Sequence, residues 1–337
     1  ALEKINATQE VLEDGLKVQA FAFPGKSDWN IPHNFAPWIW SNGGSFLQRD
    51  SSGKWHSNIM GEKTLNGIQA YLNFVRDSLV STDALQLNSA QIVQRFNNGE
   101  LAFIISTAEI VMQTRYDGAL GGLSNARIGS DSVAVLPIPR GAEGVVHFVG
   151  GSNLAIPASN TRPEAKDLLL FLVSDENLDA YTRQIGLPPT SRKALASWSE
   201  DEQYRELVKC LESGRTYESI PEWGNIEQIL VNMFSSVWDM MEIPSLDSDE
   251  KLYQLFSRFS AEIDQKLSYT PTNSVTLAEF QEIWNKRTYD KGESTLLDED
   301  TARDALIADN LKKAPFVFLT IMVISFLVNF AKRRKQK

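Results

Sequence analysis

Apolar positions recur at helical spacing along much of the chain. Leu65, Ile68, Tyr71, Leu72, Val75 and Leu79 fall on one face, which predicts an amphipathic helix. A shorter helix is predicted over Ser89 to Phe96, closed by Asn98 and Gly99 as a C-terminal cap. Thr161 to Glu164 has capping-box spacing with Pro163 in the first turn, so a helix is expected to start there and run through Leu168, Leu169, Phe171 and Leu172. The broadest apolar face comes later, at Trp223, Ile226, Ile229, Leu230, Met233, Phe234, Val237, Trp238 and Met241. Another helix follows through Leu252, Leu255, Phe256, Phe259, Ile263 and Leu267. Between these segments Leu101 to Ile105 and Ser132 to Pro139 read as buried strands, and the alternation predicts an α/β protein.

One β-type run, Val145, Val146, Phe148 and Val149, breaks at the pair Gly150 and Gly151. Ser152 and Asn153 follow, then an apolar run from Leu154 to Ile156 that closes on Pro157. Paired glycines permit φ > 0 or the close approach of another surface. A hairpin, a packed neighbour and a ligand all satisfy that pattern.

The C-terminal end has a different character. Residues 271–313 are polar and predict a partly helical stalk, and residues 314–331 contain no charge before the basic tail KRRKQK at 332–337. A membrane-spanning helix needs about 20 apolar residues, within roughly 17 to 25. The run therefore predicts a transmembrane helix, with its basic flank on the cytoplasmic side and the globular part outside. Lys312 and Lys313 on the other flank weaken that asymmetry without reversing it. A glycolipid-anchor signal would end in its apolar tail, which this run does not.

Composition narrows the function classes. The 337 residues carry a formal net charge of −10, which opposes nucleic-acid binding. A single cysteine, Cys210, rules out an intramolecular disulfide. His33, His56 and His147 lack metal-ligand spacing and are expected on the surface or in loops. There is no Walker-type phosphate loop, no G-x-S-x-G elbow and no dinucleotide fingerprint, and the glycine-rich stretch 118–130 reads as a loop. No cofactor is implied, and nothing in the sequence asks for an enzyme.

Several segments, taken in order, resemble the extracellular solute-binding proteins of sugar-type ABC importers. They are WIWSNGGSFL at 38–47, EKTLNGIQAYLNFVRD at 62–77, IVQRFNNGELAFIIS at 92–106, VAVLPIPRG at 133–141, and the stretch from HFVGGSNLAIP at 147 to GLPPTS ending at 191. No single piece is specific; the ordered series over about residues 1–270 is. The resemblance implies a periplasmic-binding-protein-like fold of type II, two α/β lobes closing over a solute. It also implies that the N-terminal lobe is incomplete here, because the match begins with a helix and strand of the second lobe. The implied organisation is second lobe at 1–147, crossover and return segment at 148–192, C-terminal helical part of the second lobe at 193–270, stalk at 271–313, transmembrane helix at 314–331 and cytoplasmic tail at 332–337.

The resemblance also implies site residues. Gly150 and Gly151 would allow close approach at the crossover, and Ser152 and Asn153 would offer hydrogen bonds. Asn42 belongs to the Asn-Gly-Gly turn of the first motif. Trp38, Trp40 and Trp223 are the rings on which a sugar face would stack. Trp38 and Trp40 alternate about Ile39 as if on one strand face, whereas Trp223 suits a core position equally well. Where similar proteins often carry a Gly and a stacking Trp after the strand at 102–106, this chain reads TAEIVM, with Glu109 near the aromatic position. That departure leaves room for a smaller or cationic solute. The function expected is capture of a small solute, most simply a carbohydrate, for an ABC permease. A ligand-sensing receptor ectodomain and an extracellular carbohydrate-active enzyme are the alternatives.

Overall fold

The computed structural model describes residues 2–8, 15, 17–26, 28–115, 133–160, 162–243, 248–271, 274–286 and 322–325. In chain order the elements begin with α1 (Leu2–Thr8), β1 (Gln19–Ala22), α2 (Ile31–Ser41), β2 (Leu47–Arg49), β3 (Trp55–Ser57) and α3 (Glu62–Arg76). After a 3-10 turn at Thr82–Gln86 come α4 (Ser89–Asn97), β4 (Leu101–Ile105), α5 (Ile110–Arg115), β5 (Val133–Leu136) and β6 (His147–Phe148). The remainder is α6 (Pro163–Leu172), α7 (Asp175–Ile185), α8 (Arg192–Ser199), α9 (Glu202–Glu212), β7 (Gly214–Arg215), α10 (Trp223–Glu242), α11 (Asp249–Lys266), α12 (Leu277–Asn285) and β8 (Met322–Ser325).

The main sheet has strand order β1-β4-β8-β5. β1 and β4 run parallel, with Gln19 opposite Leu101 and Phe21 opposite Phe103. All five residues of β4 are buried, as suits a central strand covered on both faces. β8 enters antiparallel between β4 and β5. These four residues are therefore strand, not the middle of the helix expected at 314–331. An uninterrupted apolar run with Val323 and Ile324 satisfies its backbone in a central strand as well as in a helix. The rest of that run, the tail at 332–337, residues 287–313 of the stalk and the glycine-rich stretch 118–130 lie outside the described residues. Among the described residues no helix is long and apolar enough to cross a membrane.

The helices predicted from periodicity form where expected. α4 is fixed by a reciprocal capping box between Asn88 and Gln91, and Gly99 takes the left-handed conformation (φ +76) beyond its C-cap. α6 begins at Pro163, but its N-cap is Arg162 with no side-chain cap bond. Residues 277–285, expected in the stalk, pack as α12 on α3 and α11, because Phe280 and Trp284 bury their rings there.

The core centres on α2, α3 and α10. Phe35 stacks on Phe234 with centroids 3.8 Å apart, and Phe23, Tyr71 and Trp238 close around them. The segment from Gly151 to Glu176 behaves differently. α6 has no buried residue, and Leu154, Leu168, Leu170, Phe171, Leu172 and Val173 all face solvent.

Candidate functional site

α2 carries the first half of the site. Its N-terminus is anchored by Asp28, a buried carboxylate that accepts bonds from the backbone N–H of Asn30 (2.8 Å) and from Ser89 N–H (2.6 Å) and O–H (2.8 Å). This fastens the start of α2 to the start of α4. Pro37 lies inside α2 and has no N–H, so the carbonyl of His33 receives no bond from that position. At the far end Asn42 and Gly43 stop the helix; Gly43 takes φ +78, and Asn42 Nδ2 donates to the Trp38 carbonyl (2.8 Å). Asn42 is thus engaged in closing the helix.

β6 and β7 bring the second half alongside. They pair in parallel, with Phe148 opposite Arg215, and β6 packs on α2. The stretch after β7 and the first residue of α10 then place Tyr217 and Trp223 against the same face. The result is a continuous group of rings. His33 stacks on Phe148 at 4.2 Å and 7°, Tyr217 packs on Phe148 at 5.0 Å, and Trp223 stacks on Tyr217 at 4.3 Å. Trp40 lies behind them, 5.6 Å from Tyr217, with the Arg215 guanidinium 4.8 Å over its ring. Arg215 also pairs with Glu218 at 3.2 Å.

The polar atoms nearest the stacked rings, those of His33 and Tyr217, are neutral. His33 Nδ1 lies 2.6 Å from the Tyr217 hydroxyl. Burial lowers the imidazole pKa to about 4, against a smaller opposing pull from Asp28. Burial also pushes the Tyr217 hydroxyl well above its ordinary value, with Glu227 and Glu218 adding to the effect. Near neutral pH the pair is an uncharged hydrogen-bonding couple set among aromatic faces, an arrangement that matches the hydroxyls and apolar faces of a polyol ring.

Among the residues singled out from sequence, Trp40 and Trp223 come together in this group. Trp38 does not. α2 is a helix rather than a strand, so Trp38 and Trp40 do not share a face, and Trp38 is buried in the core, stacked on Tyr71 at 5.3 Å. Gly150, Gly151, Ser152 and Asn153 form an exposed stretch just beyond β6. Neither glycine has a positive φ, so no tight turn needs them. A Cβ on Gly150 would lie 3.2 Å from the Phe148 ring, whereas Gly151 has open space around it. Glu109 stands at the start of α5, where its Cα would meet a Cβ on Gly186 at 2.8 Å. Among the described residues no hydrogen bond or ion pair links Glu109 to the aromatic group.

Sequence reasoning missed His33 and Tyr217 and expected the histidines on the surface or in loops. His147 is in fact buried at 2% exposure: Ile138 N–H donates to its Nε2 (3.2 Å), and Nδ1 lies 2.8 Å from Ser213 Oγ. His56 stacks on Tyr269 at 4.7 Å.

An α/β unit that presents aromatic rings beside the neutral His33–Tyr217 pair has the chemistry to hold a small polar molecule. Residues 3–206 match the family model of the bacterial extracellular solute-binding protein, and the chain belongs to that family. Among solved structures it is similar to maltose-bound MalE3 of T. maritima, with 18% identity and a TM-score of 0.58 over 74% of this chain and 60% of that one. The GacH receptor of Streptomyces glaucescens, solved unliganded and with acarbose, gives 15% identity and a TM-score of 0.54 over 75% of this chain and 60% of that one. These likenesses establish the two-lobed periplasmic-binding-protein-like fold. The chain spans about 60% of the length of these solved relatives. No curated protein matches it.

Proposed function

We propose that the chain captures a saccharide on the face built by His33, Phe148, Tyr217 and Trp223 and delivers it to an ABC importer without altering it. The observation that carries this reading is the neutral His33–Tyr217 couple held at 2.6 Å between stacked rings. With Tyr217 donating to Nδ1, the neutral imidazole presents Nε2–H to a solute hydroxyl. The exposed Gly150–Asn153 stretch, next to Phe148, adds backbone and side-chain partners from the crossover side.

The exposed apolar face of α6 is the proposed seat of the first lobe. It carries Leu168 at 58% exposure and Phe171 at 61%, too much apolar surface for a helix that ends in water.

The uncharged run at 314–331 with its basic tail supports attachment to the membrane, globular part outside. That state requires Met322–Ser325 to leave the sheet. It also favours a sensing receptor as the second reading. Protease added to intact cells is expected to remove the globular part and spare a C-terminal tag.

A thermal-shift screen of sugars, polyols and amino compounds on the full chain tests the binding reading, because a ligand specific to the native state raises apparent stability. A stabilising saccharide recovered unchanged supports it. Conversion of the bound sugar would favour the enzyme alternative instead.

A further inference from the structure

Trp29 is 69% exposed, whereas Trp38, Trp40, Trp198, Trp238 and Trp284 are buried. Its backbone is nonetheless held firmly. Asp28 on one side accepts three bonds from Asn30 and Ser89, and Asn30 on the other side donates from Nδ2 to Ser89 Oγ at 3.2 Å. The indole itself faces water. It meets His33 edge-on, with centroids 5.3 Å apart and planes at 88°. From His33 the series continues to Tyr217 at 5.5 Å and from Tyr217 to Trp223 at 4.3 Å. Four rings thus form an unbroken series with the accessible indole of Trp29 at one end and the partly exposed Trp223 at the other. One sugar ring covers only part of such a series.

We propose that Trp29 is an outer stacking platform of this site, taking the second ring of a linear saccharide and so setting a preference for two or more sugar units. This rests on the saccharide reading above.

The test titrates the full chain with monosaccharide and disaccharide probes: glucose against maltose and cellobiose, xylose against xylobiose, mannose against mannobiose. Calorimetry gives affinity and tryptophan emission reports ring contact. The expected result is a disaccharide bound more tightly than its monosaccharide, with quenching of emission. Trp29→Ala should lower that ratio roughly two- to tenfold, the scale of one aromatic contact. Trp29→Phe should recover most of it, and neither variant should lower the melting temperature. An unchanged ratio in Trp29→Ala overturns the proposal while leaving the saccharide reading in place. So does a lower melting temperature with unaltered affinities, which would make Trp29 a packing surface. If no probe binds the unaltered chain, both readings fall together.

Discussion

Gly67 lies in the middle of α3, where that helix crosses α2. A Cβ built there would sit 2.4 Å from Ile39 Cα, 2.7 Å from the Trp38 carbonyl oxygen and 2.9 Å from Ile39 N. All three are backbone atoms, so no side-chain rotation relieves the overlap. Ordinary carbon contacts lie at roughly 3.5–4.0 Å, so Gly67→Ala forces α2 and α3 apart by about 1 Å. Helix propensity works the other way, favouring alanine by about 1 kcal/mol. Overpacking a filled interface costs about 1–3 kcal/mol, and the rigid backbone places this case at the upper end. The expected net loss is about 1–2 kcal/mol by urea unfolding. Because α2 carries His33 and Trp40, the displaced helix should also weaken solute binding. Gly224→Ala is the control: it is helical too, with nothing within 4 Å of its added Cβ, and should be neutral or slightly stabilising. A Gly67→Ala protein as stable as the Gly224→Ala protein would refute the close-contact argument.

Acid should destabilise the fold through His33 and His147, whose pKa values burial lowers from 6.5 to about 4. The unfolded chain takes up these protons first, so stability is level above about pH 6.5 and falls as pH drops toward 4, by on the order of 2–3 kcal/mol per histidine; urea midpoints that stay level from pH 7 to pH 4.5 would contradict this. Trp223→Ala should reduce affinity while costing less than the roughly 3–5 kcal/mol of a core tryptophan, since its ring is only partly covered. Melting temperature and affinity per folded molecule, measured together, separate the two effects. Tyr217→Phe removes the bond to His33 and keeps the ring, so it should lower affinity while leaving the aromatic packing intact. Replacing Leu168 and Phe171 by lysine should leave the lobe's unfolding midpoint in place and reduce self-association, as light scattering reads it.

The helices were legible because their apolar faces repeat at three and four, and that periodicity survives burial on one side only. α2 was not legible for the same reason. Ile31 to Ser41 is buried almost all round, so its apolar run has no period, and Pro37 argues against a helix. Half of the aromatic site was visible. Trp223 and the Phe148 strand stand out locally, but the bond between His33 and Tyr217 joins residues 184 positions apart. No local pattern encodes that pairing; aromatic residues next to the Gly-Gly break and six positions before Trp223 were the available signal. The polar composition of 271–286 concealed a buried Phe280 and Trp284, because two large rings anchor a short helix whatever its remaining residues are.

The two unusual surfaces of the molecule have one explanation on the proposed reading. The aromatic series at the site offers one wall, so a saccharide lying on it keeps its other face in water. Tight capture by a two-lobed protein depends on a closed state that binds the ligand better than the open one does, and the difference comes from contacts made by the second wall. The exposed apolar residues of α6 lie on the chain that leaves the site through Gly150–Asn153, which is where the proposed second wall would attach. A lobe seated on α6 would bury that face and bring its own groups over the rings. The weak affinity expected of one wall and the wet helix beside it are then a single deficit, and supplying the first lobe in trans should raise affinity and protect α6 from hydrogen exchange at the same concentration.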